Sequence, residues 1–437
     1  MTNLLLLMLV YLTYAGVSFW LFNCNFLSPS FVFSLSIAAM LCLAYYTAVN
    51  LGMLFAIELK TFTIFAVAGF VFLATEFFVY AFHTVDYFRN RQSVKLEGSP
   101  QPLDIHPQIQ WAFTAFLTVS LLIALAVLYI NTGGGSWSQR MRAYREMLLH
   151  NPDTIRFRFI VAQIFKVNIV VVDLFAYVLL YNASVCGVPV KQLISYVIDV
   201  FLYIIYSAVV TGSRQVPLEE ILFLLMIYII INVSPERKKK LGGFILKLIP
   251  LIVILGTLFT NIGILMGRYE TQKSRLQDVA EYTCGGLYSF NLHLDREAST
   301  KMWGQATFAY VYMIPQNMGL MPRTDDIMTT GEFDMYGNTI TIFGRWYRDF
   351  GTIGVYVMTC LVSMFYSRFF YKRLISSSNK VQEHHIDRIL YCYLMPGLIW
   401  AGYDDRIAAL MTVQTVFFLV FIYVLYRMLI VSKYKLF

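Results

Sequence analysis

The uninterrupted apolar run IQWAFTAFLTVSLLIALAVLYI, Ile109–Ile130, decides the fold class of this chain. The hydrocarbon core of a bilayer is about 30 Å thick and an α-helix rises about 1.5 Å per residue, so about 20 apolar residues cross it. A helix also satisfies its backbone hydrogen bonds within one segment, which lipid requires. The run therefore predicts a transmembrane helix.

Similar runs recur along the chain, which is 58% hydrophobic and 14% charged. They lie at residues 3–22, 31–56, 62–82, 157–184, 191–211, 217–233, 244–267, 350–371, 388–403 and 407–429. Together with 109–130 they predict an all-α, polytopic membrane protein with about eleven transmembrane helices. We expect a single membrane domain over residues 1–437, with the first run retained as a span because no signal-peptide cleavage site follows it.

The charge pattern predicts which side faces the cytoplasm, since short cytoplasmic loops are rich in Lys and Arg. The net charge is +8, and the clearest basic cluster is SPERKKKLGG at Ser234–Gly243. Basic residues also occur near Lys372 and in the C-terminal tail. Placing these segments inside puts the C-terminus in the cytoplasm and the long polar stretch, residues 268–349, outside.

The cations on the two sides differ, because lysine dominates the inner segments and arginine the outer ones. A guanidinium group binds two phosphate oxygens at once, whereas an ammonium group acts as a point charge. The bias predicts a phosphate or pyrophosphate ligand on the outer face. The alternative is that these arginines reach lipid headgroups.

The polar stretch ends in GNTITIFGRWYRDFGTIG, Gly337–Gly354, which holds the strongest candidate site. Arg345, Arg348 and Asp349 stand at i, i+3 and i+4, so they share one helical face at the mouth of a predicted span. The cluster is either a binding site or an internal ion pair that caps the helix start.

Other polar residues give weaker signals. Arg214 follows a helix predicted to stop at Gly212, which suggests either a pyrophosphate clamp or an interfacial arginine. Loop 131–158 has the pattern of an interfacial amphipathic helix. Leu276, Val279 and Tyr282, at steps of three, also predict a helix, broken at Gly285–Gly286. The six cysteines form no Cys-x-x-Cys pair, so no disulfide framework is indicated.

Two further groups of charged residues each allow more than one interpretation. Asp325–Asp326 resembles a metal-binding acidic pair but lacks a third ligand, so no metal site is predicted. The charges inside predicted spans are either structural ion pairs between helices or a transport relay. They are Glu76, Lys166, Asp173 and Asp199.

The second half of the chain resembles the bacterial oligosaccharide repeat-unit polymerases, the Wzy-type O-antigen polymerases. The resemblance rests on four segments in order: Gly212–Arg214, AEYTCGGLYSFNLHL at Ala280–Leu294, GQATF at Gly304–Phe308, and the run at Gly337–Gly354. The N-terminal half matches only as generic spans.

The resemblance implies a GT-C-like glycosyltransferase of the bacterial inner membrane that needs no metal or other cofactor. Its donor and acceptor are undecaprenyl-pyrophosphate-linked oligosaccharides, its product is O-antigen of lipopolysaccharide or a related surface polysaccharide, and a chain-length regulator is an expected partner. Membrane lipid surrounds it, and no nucleic acid is expected.

The same resemblance assigns roles to residues. Arginines would neutralise the leaving pyrophosphate: Arg214, Arg345 and Arg348, then Arg268 and Arg323. The general base would be Asp349, with Glu281 or His293 as alternatives, and Tyr282 and Asn338 would bind substrate. Two other functions remain open, an O-antigen ligase with the same topology and a polysaccharide transporter or flippase.

Overall fold

The computed structural model describes residues 1–23, 25–50, 56–89, 101–213, 215–232, 275–294, 303–321, 341–375 and 381–432. All regular secondary structure within these residues is helical, which confirms the predicted class. The α-helices are α1 (Thr2–Leu21), α2 (Pro29–Asn50), α3 (Leu59–Arg89), α4 (Pro107–Thr132), α5 (Trp137–His150), α6 (Arg158–Ser184), α7 (Ile194–Thr211), α8 (Gln215–Asn232), α9 (Arg275–His293), α10 (Ala309–Asn317), α11 (Ile342–Arg368), α12 (Val381–Leu394), α13 (Pro396–Ile399), α14 (Arg406–Leu410) and α15 (Val413–Tyr426). Short 3₁₀ turns occur at Pro152–Thr154 and Val190–Leu193, and π-helical turns at Phe369–Ile375 and Arg427–Val431.

Eight helical segments in the described chain are long and apolar enough to cross a membrane. They are Thr2–Leu21, Pro29–Asn50, Leu59–Thr84, Pro107–Thr132, Arg158–Ser184, Val190–Thr211, Ile342–Leu374 and Val413–Val431. Each matches a predicted run, so the polytopic character is confirmed. The total of about eleven stays a prediction.

The remaining three runs have different outcomes. Run 217–233 is helical as α8, and run 244–267 lies outside the described residues. Run 388–403 is not one helix, because α12 ends at Leu394 and α13 starts at Pro396. Proline has no N–H to donate and its ring clashes with the preceding turn, so it begins a new helix here.

The predicted interruption at Gly285–Gly286 is wrong, since α9 runs through both glycines to His293. Glycine costs a helix interior only about 1 kcal/mol relative to alanine. The helix packs against α2, where the buried Cys284 thiol donates to the Met40 carbonyl at 3.7 Å. This tertiary packing outweighs the weak propensity.

The chain forms two compact units, and the prediction of one membrane domain over residues 1–437 stays a prediction. The first unit comprises residues 1–96, 273–387 and 393–416. The second comprises residues 97–272, 388–392 and 417–437.

The core of the first unit holds the N-terminal turns of α11 in place. Phe343 packs edge-on against Phe65 and Phe33, with ring centroids 4.7 and 6.1 Å apart. Trp346, one turn later, is fully buried beside Phe343. Because these rings fix the helix face that they occupy, Arg345 projects from a rigid element.

The second unit contains α4–α8, in which α7 packs against α4 and α6. The predicted amphipathic helix in loop 131–158 is present as α5. A capping box starts it, in which Ser136 and Gln139 satisfy each other's backbone N–H groups. The helix α7 ends at Thr211, immediately before the predicted stop at Gly212.

Buried carboxyl groups in the spans bind neutral partners. Glu76 accepts hydrogen bonds from the Ser30 amide and, at 2.8 Å, from the Tyr371 hydroxyl. Asp199 accepts a 2.6 Å hydrogen bond from the Thr114 hydroxyl. These contacts join helices through hydrogen bonds and not through ion pairs.

Lys166 and Asp173, both on α6, also have partners that are not oppositely charged. The Lys166 ammonium donates to the Gln163 side chain at 3.4 Å. Asp173 is buried beside the buried Glu220 side chain.

Candidate functional site

Two of the sequence motifs meet at the N-terminal end of α11. The backbone N–H groups of Ala306 and Thr307 donate to the two carboxylate oxygens of Asp349, at 3.1 and 2.6 Å. Arg345 Nη1 donates in turn to the Ala306 carbonyl at 3.2 Å. We call this contact, between residues 304–308 and residues 345–349, the loop–helix junction. It joins positions as many as 43 residues apart in the sequence.

The local backbone explains why the charged residues lie on one short helical segment. Thr341 is the N-cap of α11, and the helix is regular until Gly351. Gly351 has φ 64° and ψ −163°, a conformation that disfavours residues with a Cβ atom. Arg345, Arg348 and Asp349 therefore share the turns before this kink, as their spacing predicts.

Gly304 has a steric role in the junction. Its φ is +69°, and a Cβ atom there would lie 2.7 Å from the Phe308 ring. We expect Gly304→Ala to destabilise the protein by about 1–2 kcal/mol, since the left-handed region costs other residues that much. A lower thermal midpoint of the purified protein in detergent would confirm this. Gly134→Ala is the control, because nothing lies within 4 Å of its Cβ position and its φ is ordinary. Equal losses in both variants would contradict the assigned role.

Asp405, in the turn before α14, is the buried counter-ion of Arg345. Its Oδ2 lies 3.7 Å from Arg345 Nε, and the two side chains are 0% and 11% exposed. Its Oδ1 accepts a 3.0 Å hydrogen bond from the Ala408 amide and so caps α14. Burial raises the pKa of Asp405 to about 6, an effect that the nearby Arg345 guanidinium partly offsets.

The raised pKa of Asp405 predicts a pH-dependent stability. The pKa rises from the ordinary 3.8 to about 6, so the folded state holds this proton more tightly than the unfolded chain. Its contribution to the free energy of unfolding is complete below pH 3.8 and is lost as the pH rises through about 6. Thermal midpoints measured between pH 4 and pH 7.5 should show a shallower decline in Asp405→Asn than in the wild type. An identical slope in the two proteins would exclude Asp405 as its source.

Asp349 and Arg345 both have partners outside the cluster. The Asp349 carboxylate is bound by two backbone amides, and Arg345 is paired with Asp405. Both interpretations of the cluster, a binding site or an internal ion pair, stay predictions. Both Asp349 oxygens accept hydrogen bonds from the loop, so the carboxylate holds residues 306 and 307 against α11.

Several buried polar atoms around the junction have no hydrogen-bond partner within the described residues. They are Gln305 Oε1, Thr341 Oγ1, Trp400 Nε1, Arg345 Nε and Asp405 Oδ2. The Ile342 amide donates to the Ala401 carbonyl at 3.2 Å, which brings Thr341 close to the loop that follows Trp400. Two of these atoms, Arg345 Nε and Asp405 Oδ2, face each other as the ion pair described above.

The structure brings together only part of the predicted site. Arg345, Arg348 and Asp349 lie at the junction, and Arg348 is half-buried. The residues Arg214, Arg268, Arg323 and Asn338 lie outside the described part of the chain, as do the acidic residues Asp325 and Asp326. Glu281, Tyr282 and His293 belong to α9, but their side chains are outside what the structure describes.

Sequence reasoning missed Asp405. The available signal was the polar turn YDDR, Tyr403–Arg406, between two apolar runs on the predicted outer side. The adjacent Asp404 pairs with Arg406 at 3.2 Å, with both side chains 24% exposed. Nothing in the local sequence distinguishes the buried aspartate from its partly exposed neighbour.

Comparisons with known proteins add no relative. No protein-family model, no curated protein and no solved structure matches this chain. The geometry of the loop–helix junction and the motifs that form it are therefore the basis for assigning a function.

Proposed function

We propose that this chain is a glycosyltransferase that polymerises undecaprenyl-pyrophosphate-linked oligosaccharide repeat units. The product would be O-antigen or a related surface polysaccharide, made on the outer face of the bacterial inner membrane. The observation that carries the proposal is the loop–helix junction, in which GQATF and GRWYRDFG, two motifs of the polymerase resemblance, bind each other.

The reaction makes one glycosidic bond and breaks one bond to phosphate. A hydroxyl group of the acceptor attacks the anomeric carbon of the donor, undecaprenyl pyrophosphate leaves, and the hydroxyl proton passes to a base. Negative charge grows on the leaving pyrophosphate, so preorganised cations lower the barrier. No residue of the chain needs to become covalently attached.

Arg345 is the described residue best suited to bind the pyrophosphate. Among the described residues its contacts use Nε and Nη1, so the Nη2 group is the proposed donor to an anionic ligand. The buried Asp405 carboxylate fixes the orientation of the guanidinium before substrate arrives. Arg348, Arg214, Arg268 and Arg323 remain proposed contributors from the same outer face.

Asp349 has a different proposed role from the one that the resemblance suggests. Its two hydrogen bonds hold Ala306 and Thr307 against α11, which makes it a positioning residue. The proposed general base is then Glu281 or His293 on α9. Tyr282 and Asn338 are proposed substrate contacts.

A ligase that transfers a finished glycan would use the same site, so a genetic experiment separates the two. Deleting the gene in its host should leave surface glycans capped with single repeat units if the enzyme polymerises. Loss of all surface-linked glycan, with long lipid-linked chains accumulating, would reject the polymerase in favour of the ligase.

One observation favours a transporter or flippase as the second candidate function. The acidic pair Asp173 and Glu220 is buried in a predicted membrane region, where ionisable groups often belong to relays. Substrate uptake by vesicles that depends on a pH gradient, and is lost in Asp173→Asn with glycan synthesis intact, would support that function.

A further inference from the structure

The long stretch predicted to be polar contains an apolar and exposed segment next to the junction. Residues 303–321, WGQATFAYVYMIPQNMGLM, contain no Asp, Glu, Lys or Arg. Trp303 is 74% exposed and Leu320 is 72% exposed. Val311, Met313, Ile314 and Met318 are also exposed, so the side chains around α10 present a hydrophobic surface.

An exposed apolar surface of this kind is normally covered by a membrane or by another molecule. The segment has two tyrosines, Tyr310 and Tyr312, in addition to Trp303. Trp and Tyr are enriched where a protein meets the membrane–water interface, because their rings are apolar at one end and polar at the other. The composition is therefore that of an interfacial segment.

The apolar surface is continuous with the lipid-facing side of a span. The Trp303 ring contacts Phe350, with centroids 5.1 Å apart. C-terminal to Phe350 on α11, exposed apolar residues recur once per helical turn at Ile353, Val357 and Leu361. Residues spaced by four lie on one helix face, and α11 is part of a candidate membrane span, so this stripe faces lipid.

We propose that residues 303–320 form a monotopic element that inserts into the outer leaflet of the bilayer beside α11. The occupant of its apolar surface is the acyl-chain region of the membrane itself. Insertion to a shallow depth, about 5–10 Å, would place Trp303 near the headgroups and α10 against the upper acyl chains. The junction that holds Arg345 would then sit at the level of lipid phosphates.

The inference goes beyond glycosyl transfer, because it concerns where the segment lies and not what the site does. It does explain how a lipid-linked substrate could reach the junction from the bilayer plane. Its test reads membrane depth directly and stays valid if the proposed activity is wrong.

The first experiment measures the depth of Trp303 with the full chain in phospholipid vesicles. The emission difference between wild type and Trp303→Phe reports that single tryptophan. Lipids brominated at shallow acyl positions should quench this difference several-fold more than iodide dissolved in the water. Quenching by iodide and not by brominated lipid would overturn the proposal and indicate a surface open to a protein partner.

The second experiment needs no substitution. A lipid-soluble diazirine is photolysed in vesicles that contain the unmodified chain, and labelled peptides are identified by mass spectrometry. Labelling of Met318 and Leu320 should approach that of Ile353, which is 76% exposed on α11, and exceed that of the Gly133–Gly135 turn several-fold. Labelling at 303–320 no higher than at that turn would reject insertion.

Discussion

Replacing Arg345 by alanine is expected to reduce the rate of glycan chain growth by about 100-fold or more. Removing one preorganised group that stabilises developing negative charge has that effect in other enzymes. The loss should appear in the turnover rate, measured with purified protein and lipid-linked repeat units, because the charge on the pyrophosphate grows only as the bond breaks.

Two controls make the Arg345 result interpretable. Arg345→Lys should restore little activity, since lysine cannot contact Asp405 and the Ala306 carbonyl while also binding a phosphate. Arg140→Ala removes another arginine of the predicted outer face, whose guanidinium lies 4.4 Å from the Tyr129 ring centroid. It should leave activity near wild type. Full activity in Arg345→Lys would contradict the proposed geometry.

A double variant separates a loss of catalysis from a loss of stability. Arg345→Ala leaves Asp405 buried without its cation, which by itself destabilises the protein. The double variant Arg345→Ala/Asp405→Asn has no such charge. If the double variant is as stable as the wild type yet inactive, the loss belongs to the reaction and not to the fold.

Replacing Asp405 by alanine is expected to have the largest effect on stability. It leaves the Arg345 guanidinium, only 11% exposed, without its carboxylate and removes the cap of α14. Removing one partner of a buried ion pair lowers the free energy of unfolding by about 3–5 kcal/mol. The free energy of unfolding, from denaturant titration in detergent micelles, should fall by that amount.

The neighbouring aspartate provides a matched control for the stability prediction. Asp404→Ala breaks an ion pair whose members are both 24% exposed, and such pairs contribute about 0–1 kcal/mol. Asp405→Asn keeps an oxygen for the Ala408 amide while removing the charge, so it separates the cap from the ion pair. Equal losses in Asp404→Ala and Asp405→Ala would show that burial of the Arg345 pair is unimportant.

The sequence predicted the helical class and eight of the spans because hydrophobic length is a local property. It also placed Arg345, Arg348 and Asp349 on one helical face, since i, i+3 and i+4 spacing needs no tertiary information. The break in run 388–403 can be predicted from Pro396, at which a new helix starts. The continuity of α9 through Gly285–Gly286 cannot be predicted from the sequence, because it depends on packing against α2.

The partners of the site residues depended on tertiary contacts. The Asp349 carboxylate binds amides of Ala306 and Thr307, and backbone amides carry no residue-specific signal in a sequence. Asp405 reaches Arg345 from a turn that follows a different helix. Arg345 thus pairs with a carboxylate that is distant in the sequence and buried in the fold.

Residues 268–349 are not uniformly polar. Segments that contain charged residues flank the uncharged segment 303–321, and the exposure of its apolar side chains is visible only in the folded chain. Hydropathy over a long window hides a short interfacial element of this kind.

The most direct test of the central claim is polymerisation by the purified protein in vesicles. The substrate is an undecaprenyl-pyrophosphate-linked repeat unit, and the readout is the length of lipid-linked glycan together with released undecaprenyl pyrophosphate. The account predicts a ladder of longer chains and stoichiometric release for the wild type, with neither in Arg345→Ala/Asp405→Asn. An identical ladder in that variant, or no chain growth by folded wild-type protein supplied with its host's repeat unit, would contradict it.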